Sequence, residues 1–125
     1  MKKIVESKKA PAAAGPYSQA IEDAGLVFAS GQLPIDSSGQ IPETIEAQTH
    51  ASLKNLANVL EAAGCSLNDV VKTTVFLDNM ENFAIVNGIY AEYFNAPFPS
   101  RSCFQVAKLP KGAKVEIEAI AVKHN

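Results

Sequence analysis

The order of predicted elements indicates an α+β fold in which one mixed sheet carries two helices on a single face. Two long segments have apolar residues at three- and four-residue steps, the period of a helix. The other apolar segments are short and alternate or run continuously, as strands do, and the chain reads strands, helix, strand, helix, strands. With 125 residues, 47% of them hydrophobic, residues 1–125 are expected to form one domain with a sizeable core.

Three short strands are predicted in the first part of the chain. Lys3 to Glu6 forms the first, and residues 17–21 and 26–29 form two more around a hairpin turn at Asp23-Ala24-Gly25. Ser30-Gly31 is expected to end the third strand. A glycine there indicates either an ordinary bulge or turn, or a backbone approached closely by a ligand or a neighbouring chain. The local pattern leaves both interpretations open.

The first helix is predicted from Thr44 to Ala63, with Gly64 as its C-terminal stop. Its apolar stripe is interpreted as core and not as a cofactor site. The residues of this stripe are Ile45, Thr49, Leu53, Leu56, Leu60 and Ala63.

Residues 70–77 are apolar almost throughout, which is typical of a central strand. Asp78 with Glu81 predicts a capping box for the second helix. Asn87 lies at the edge of that helix's inward stripe, where it either bonds a backbone group or faces a cleft. The stripe itself consists of Phe83, Val86, Tyr90 and either Tyr93 or Phe94.

The last two strands are predicted at residues 99–106 and 115–122, joined as a hairpin by a Pro- and Gly-containing turn. Side chains alternate between the faces of a strand with period two. Arg101, Cys103 and Gln105 therefore share one face of the first arm.

Glu116 and Glu118 share a face of the second arm by the same rule. The hairpin could thus bring one arginine, one thiol and two carboxylates to the same side of the sheet. From the chemistry alone, a cross-strand ion pair between Arg101 and a glutamate is the simpler reading, contributing about 0.2–1 kcal/mol.

Composition argues against several classes of function. The formal charge of −2 and pI near 5.6 predict no nucleic-acid partner, and no apolar run approaches the ~18 residues that a membrane span needs. Cys65 and Cys103 lack CxxC spacing, which indicates a reducing, cytoplasmic setting. His50 and His124 have no metal-ligand pattern around them, and no phosphate loop or dinucleotide fingerprint is present. We therefore expect no metal and no cofactor.

The sequence closely resembles the Rid family, the YjgF-like reactive intermediate or imine deaminases. The resemblance covers essentially the whole chain and implies a chorismate-mutase-like (YjgF-like) fold. It also implies a homotrimer whose sheets pack around a threefold axis and whose sites lie between subunits. Independently, a sheet with helices on one face leaves its other apolar face in need of a partner. The matching motifs are Pro99-Ser-Arg-Ser-Cys103, the Leu109-Pro110 turn, Val115-Glu-Ile-Glu118, residues 10–17, residues 30–34 and residues 71–76.

This resemblance implies a 2-iminobutanoate/2-iminopropanoate deaminase that converts 2-aminoacrylate and 2-aminocrotonate into 2-keto acids and ammonia. Arg101 would bind the substrate carboxylate as a two-pronged donor. Glu116 would orient or deprotonate the attacking water, and Glu118 lies two residues past the matching position. Tyr17 would direct its hydroxyl to the imine nitrogen or to the water.

Four further residues would line the pocket by the same resemblance: Ser30, Gly31, Asn87 and Cys103. Gly31 and Cys103 are expected to act through backbone groups. A thiolate mechanism at Cys103 is disfavoured, because no histidine has a suggestive relation to it in the sequence.

A function of another class stays open as an alternative. Rid-like trimers are also described as small-acid-binding regulatory proteins, as stress-activated holdase chaperones without catalysis, and as ribonucleases. The acidic pI argues against RNA. The presence of both Arg101 and Glu116 favours deamination over binding alone.

Overall fold

The computed structural model of the protein describes residues 1–124, which fold around one six-stranded mixed sheet in the order β1-β2-β3-β6-β4-β5. Strands β4 and β5 are parallel, and every other neighbouring pair is antiparallel. The elements are β1 (Lys3–Val5), β2 (Ala20–Asp23), β3 (Leu26–Gln32), α1 (Ile45–Ala62), β4 (Val70–Leu77), α2 (Phe83–Tyr93), β5 (Ser100–Gln105) and β6 (Val115–Val122).

The first helix lies within one residue of its predicted bounds at each end, with Thr44 and Ala63 as its caps. The hydroxyl of Thr44 accepts a hydrogen bond from the backbone N–H of Ala47 at 3.1 Å, which satisfies one of the unpaired donors of the first turn. Gly64 follows the helix with φ of +81°, a conformation that favours glycine. Local capping chemistry therefore sets both ends of α1.

The predicted capping box of the second helix is wrong. The backbone N–H of Asp78 bonds to the carbonyl of Lys114 at 3.2 Å, so Asp78 continues the pairing of β4 with the β6 side of the sheet. Asn79 caps instead, and its side chain accepts from the N–H of Glu81 at 2.9 Å. This cap opens a single 3₁₀ turn that leads into α2 at Phe83.

The predicted hairpin of the last two strands is also wrong, because β4 lies between β5 and β6. The helix α2 crosses over the sheet and returns the chain parallel to β4, as a connection between parallel strands must. Strand β6 then pairs with the other edge of β4 and with β3, antiparallel to both. Residues 70–77 are thus the central strand that their apolar run predicted.

Both helices lie on one face of the sheet, as predicted, and cover the core. Side chains alternate from this face to an open face on the other side. The open face carries exposed apolar side chains at Ile4, Phe28 and Phe104, whose exposed fractions are 62%, 43% and 53%. The largest fully buried side chains on the helix side are Val27, Leu53, Leu56, Val59, Leu60, Val75, Leu77, Val86, Val115 and Ile117.

Strand β3 does not end at Ser30-Gly31 as predicted. It continues to Gln32 after a register shift between Ala29 and Gln32, so that Ser30 and Gly31 form a bulge opposite β6. The bulge changes the direction of the backbone where β3 lies beside the Glu116 side chain. Of the two interpretations that the sequence left open for Gly31, the structure supports the bulge and adds a close neighbour.

Candidate active site

Arg101 lies on the helix side of β5, level with Thr73 of β4. Its guanidinium carbon is 4.8 Å from the centre of the Tyr90 ring and 5.5 Å from that of Phe83, so α2 covers it with two aromatic side chains. Among residues 1–124, no carboxylate lies within 4.0 Å of this guanidinium. The cross-strand ion pair that the chemistry alone suggested is absent from the described part of the protein.

Asn87 and Cys103 lie beside this arginine. Phe83, Asn87 and Tyr90 are four and three residues apart on α2, so they share the helix stripe that faces Arg101. Cys103 is two residues from Arg101 on the same face of β5 and packs against the core. We call Asn87, Arg101 and Cys103 the arginine set.

The Cys103 side chain is a thiol in this environment. Burial raises its pKa, and the smaller, opposing effect of the nearby Arg101 charge does not reverse this. No hydrogen bond to a histidine is formed at this sulfur among the described residues. The geometry therefore provides neither a base nor a lowered pKa for a nucleophilic cysteine.

Glu116 lies on the open face of β6, level with Phe76 of β4. Its side chain lies against the bulge of β3 at Gly31. A β-carbon on Gly31 would overlap the Glu116 carboxylate and would lie 2.7 Å from its Cδ atom. Burial first, and then the negative charge of Glu118, raise the pKa of Glu116. A half-buried carboxylate with a raised pKa is suited to accept and return a proton.

Ser30 and the segment that begins at Tyr17 border the same bulge. The Ser30 hydroxyl donates to the carbonyl of Ser18 at 2.6 Å, and its backbone N–H bonds to the carbonyl of Gln19 at 2.9 Å. Tyr17 precedes β2 in a turn, is 52% exposed, and its hydroxyl accepts from the N–H of Ala14 at 3.2 Å. We call Tyr17, Ser30, Gly31 and Glu116 the glutamate set.

Arg101 and Glu116, the charged residues of the two sets, lie on opposite faces of the sheet. Arg101 is level with Thr73 and Glu116 with Phe76, and β4 separates their strands. Two strand spacings across the sheet and three residues along it place their Cα atoms about 14 Å apart. The expectation that Arg101 and the two glutamates share a side of the sheet is therefore wrong within one subunit. The reason is the register of the sheet: Arg101 is level with Thr73 and Thr73 with Ala119, so Arg101 shares the face of the odd-numbered residues of β6.

Two clefts of the subunit lie away from both sets. A cleft of about 910 Å³ lies between the segment from Lys8 to Pro11, the loop around Asp36 and the outer face of α1. A second cleft of about 320 Å³ lies near Phe94 and Pro97. Neither is lined by a member of the arginine set or of the glutamate set.

Two further observations bear on the expected classes of function. Within residues 1–124, no group of three or more His, Cys, Asp or Glu side chains is placed to hold a metal ion. No helix in that range is long and apolar enough to cross a membrane.

Sequence reasoning missed the residues that surround Arg101. Phe83 and Tyr90 belong to an apolar helix stripe that was interpreted as core, and Thr73 to a strand read as apolar. The signal that could have found them is the pair of aromatic rings at i and i+7, on the helix that immediately precedes the arginine strand.

Comparison with known proteins places the chain in a family. A model of the family described as Endoribonuclease L-PSP matches residues 7–123. The chain belongs to this family, the Rid family. Its sheet order and paired helices are those of the Rid fold, which confirms both the resemblance and the mixed sheet predicted from the sequence.

Full-length relatives of this Rid protein include two named 2-iminobutanoate/2-iminopropanoate deaminase. The one from Mus musculus is 50% identical over 98% of this chain and 93% of its own length, and the one from Salmonella typhimurium is 47% identical over 98% and 99%. Among solved structures, E. coli TdcF with bound serine is 44% identical, with a TM-score of 0.94 over 98% of this chain and 99% of that one.

Proposed function

We propose that this protein is a 2-iminobutanoate/2-iminopropanoate deaminase. It hydrolyses the imines derived from 2-aminoacrylate and 2-aminocrotonate to 2-keto acids and ammonia. The observation that carries the proposal is the whole-chain similarity, at 47% and 50% identity, to two proteins of that name. The serine bound in the TdcF structure supports a ligand of the same size, a three-carbon acid with nitrogen at C2.

Arg101 binds the substrate carboxylate in this proposal. Its guanidinium has no carboxylate partner in the described protein, and its planar fork matches a carboxylate in a two-pronged hydrogen bond. Asn87 and the backbone at Cys103 border the same position. The arginine set therefore holds the acid end of the substrate.

Glu116 transfers protons between the water and the substrate nitrogen in this proposal. It accepts a proton from water as the water oxygen bonds to C2 and the C=N π electrons move to nitrogen. Glu116 then returns that proton to the nitrogen, which completes the neutral carbinolamine. In the second step the C2 hydroxyl proton passes through Glu116 to the nitrogen, the C–N bond breaks, ammonia leaves, and the C2–O bond becomes the C=O of the ketone. The raised pKa of Glu116 suits both transfers. Tyr17 orients the water or the nitrogen, and Ser30 and Gly31 shape the surrounding wall. The reaction needs neither metal nor cofactor, because the imine carbon is itself electrophilic.

The active site is shared between subunits in this proposal. Arg101 and Glu116 are on opposite faces and about 14 Å apart, whereas the carboxylate and C2 of one substrate are bonded neighbours. If the open face of one subunit packs against the α2–β5 edge of the next, each interface unites one glutamate set with one arginine set. Such head-to-tail contacts can close into a ring, and the family resemblance implies a ring of three copies. This assembly also covers the apolar side chains of the open face, including Phe28 and Phe104.

We expect the protein in solution to have about three times the 13.3 kDa mass of one chain. Sedimentation equilibrium or light scattering with a size-exclusion column measures it directly. A stable monomer with full activity would refute both the trimer and the shared site, since neither set is complete alone.

Replacing Gly31 by alanine should lower the turnover number about 10²-fold while leaving the fold intact. The added methyl group overlaps the Glu116 carboxylate, the far end of a flexible side chain that can move aside. The φ angle of Gly31 is not in the left-handed region, so the backbone accepts alanine. Steady-state kinetics and a thermal melt test both halves of this expectation.

Gly88→Ala is the matched control, because Gly88 lies on α2 and a β-carbon there meets no atom within 4 Å. It should keep the wild-type rate and melt at the same or a higher temperature. Equal rates for wild type and Gly31→Ala would show that the bulge does not position Glu116.

A coupled assay tests the proposed function. Threonine dehydratase generates 2-aminocrotonate, and the appearance of 2-ketobutyrate is followed with and without the protein. We expect an increased rate over spontaneous hydrolysis that is proportional to protein concentration. Binding of 2-ketobutyrate without any rate increase would support the alternative, a non-catalytic small-acid-binding protein. We also propose a cytoplasmic location, in keeping with the two free thiols at Cys65 and Cys103.

A further inference from the structure

The environment of the Arg101 guanidinium consists of neutral groups. Its carbon lies 4.8 Å from the centre of the Tyr90 ring and 5.5 Å from that of Phe83, both within the range of a cation–π interaction. Burial raises the pKa of the Tyr90 phenol, so the ring that contacts the cation is uncharged near neutral pH. The arginine is thus held by aromatic rings, and its N–H donors are not consumed by a carboxylate of residues 1–124.

The Tyr90 ring is itself fixed on two sides. Its hydroxyl hydrogen-bonds the hydroxyl of Thr73 at 2.8 Å, in the buried interior below β4. Its ring packs against that of Phe94 with centroids 4.4 Å apart. Thr73 is level with Arg101 in the neighbouring strand. The sheet register therefore places Thr73, which holds the Tyr90 hydroxyl, next to the arginine that the Tyr90 ring contacts.

We infer that Tyr90, with Phe83, is a positioning residue that pre-orders the Arg101 side chain for the substrate carboxylate. A free arginine side chain loses rotamer freedom when it is fixed, which weakens the binding of any ligand that must fix it. Aromatic rings can hold the guanidinium before substrate arrives without competing for its N–H groups, whereas a carboxylate partner would have to be displaced. The inference rests on the carboxylate-binding role given to Arg101 in the proposed function and extends it to residues that do not touch the substrate.

The test replaces the ring and leaves Arg101 in place. Tyr90→Leu removes the aromatic face, and the loss of a cation–π contact predicts a rise of about 2- to 30-fold in KM and in the dissociation constant of 2-ketobutyrate, with kcat changed less than about twofold. Tyr90→Phe keeps the ring and its packing on Phe94, so it should stay within about threefold of wild type in both constants.

Tyr93→Leu is the matched control. It removes a second tyrosine of α2, which is half-buried whereas Tyr90 is buried. The Tyr93 hydroxyl hydrogen-bonds His50 at 2.7 Å, and its ring makes no cation–π contact with Arg101. Its KM should stay at the wild-type value even if its melting temperature falls. Unchanged KM in Tyr90→Leu, or an equal rise in Tyr90→Phe and Tyr93→Leu, would overturn the inference.

A ligand-independent measurement separates this inference from the proposed function. Ring currents from Tyr90 and Phe83 should shift the side-chain protons of Arg101 upfield in the NMR spectrum of the wild type. The shift should shrink in Tyr90→Leu and persist in Tyr90→Phe and Tyr93→Leu. If wild type shows this shift but no deamination, the proposed function fails and the positioning stands. If it deaminates without the shift, the positioning fails and the function stands.

Discussion

Arg101→Ala is expected to reduce kcat/KM for 2-aminocrotonate by at least about 10²-fold, and to abolish measurable binding of 2-ketobutyrate. Each hydrogen bond between a guanidinium and a carboxylate contributes about 1.5–3 kcal/mol, and the two-pronged contact loses both. Arg101→Lys should remain poor, because an ammonium group cannot reproduce the planar fork and is not matched to the same ring contacts. The coupled assay gives the rates, and calorimetry gives the binding constants.

Lys54→Ala is the control for the loss of a positive charge, since Lys54 is exposed on the outer side of α1. It should keep the wild-type kcat/KM. A thermal melt of Arg101→Ala is needed beside it, because the substitution also removes the contacts with Phe83 and Tyr90. Turnover near the wild-type level in a folded Arg101→Ala protein would end the assignment of this residue to the carboxylate.

Glu116→Gln is expected to lower kcat by about 10²–10⁴-fold, the range typical of a general base, with a value toward the lower end for such a labile substrate. Glutamine retains the shape of the side chain over Gly31 but cannot take a proton from water. Affinity for 2-ketobutyrate should therefore change little. Calorimetry on this variant distinguishes lost chemistry from a lost pocket.

The pH profile gives a second readout of the same role. Burial and the charge of Glu118 raise the pKa of Glu116, and a base must be ionised to accept a proton. The rate should therefore fall on the acid side at a higher pH than an ordinary glutamate would give. Glu118→Gln removes one of the two causes, so it should shift this acid limb to lower pH while keeping the turnover at alkaline pH.

Two comparisons control the Glu116 result. Cys103→Ala should keep substantial activity, since the thiol has a raised pKa and no base beside it. Inactive Arg101→Ala and Glu116→Gln proteins should regain partial activity when unfolded and refolded together, because a mixed trimer contains an interface with both intact sets. An inactive Cys103→Ala beside an active Glu116→Gln would instead favour a thiol nucleophile.

Local patterns were enough to predict much of the fold. The apolar run of residues 70–77 and the alternation of residues 115–122 give the bounds of β4 and β6, because each strand's period reflects burial on its own two faces. The stripe and caps of α1 likewise depend on neighbours within the helix. Predictions of this kind rest on residues that are close in sequence, and for β4, β6 and α1 they were confirmed. The equally local capping box at Asp78 was wrong, because Asp78 instead bonds across the sheet to Lys114.

Pairing between strands could not be obtained in the same way. The alternation of residues 99–106 does not indicate which strand they pair with. It predicts neither that β5 pairs with the outer edge of β4 nor that β6 lies between β3 and β4. The seven candidate site residues came from the family resemblance, and the alternation within each strand showed only which of its own residues share a face. Their division into two sets, the bulge at Gly31 and the rings around Arg101 depend on contacts across the sheet, which the one-dimensional pattern does not contain.

The placement of Arg101 and Glu116 on opposite faces has a thermodynamic consequence. A ligand that touches both sets at once binds the assembly and not the separate subunit, so ligand binding and subunit association must stabilise each other by the same free energy. If the proposed shared site is correct, dilution should lower the apparent affinity for a 2-keto acid, and a saturating 2-keto acid should keep the subunits together at concentrations where the empty protein dissociates. The position of the subunit equilibrium would then depend on the concentration of the 2-keto acid.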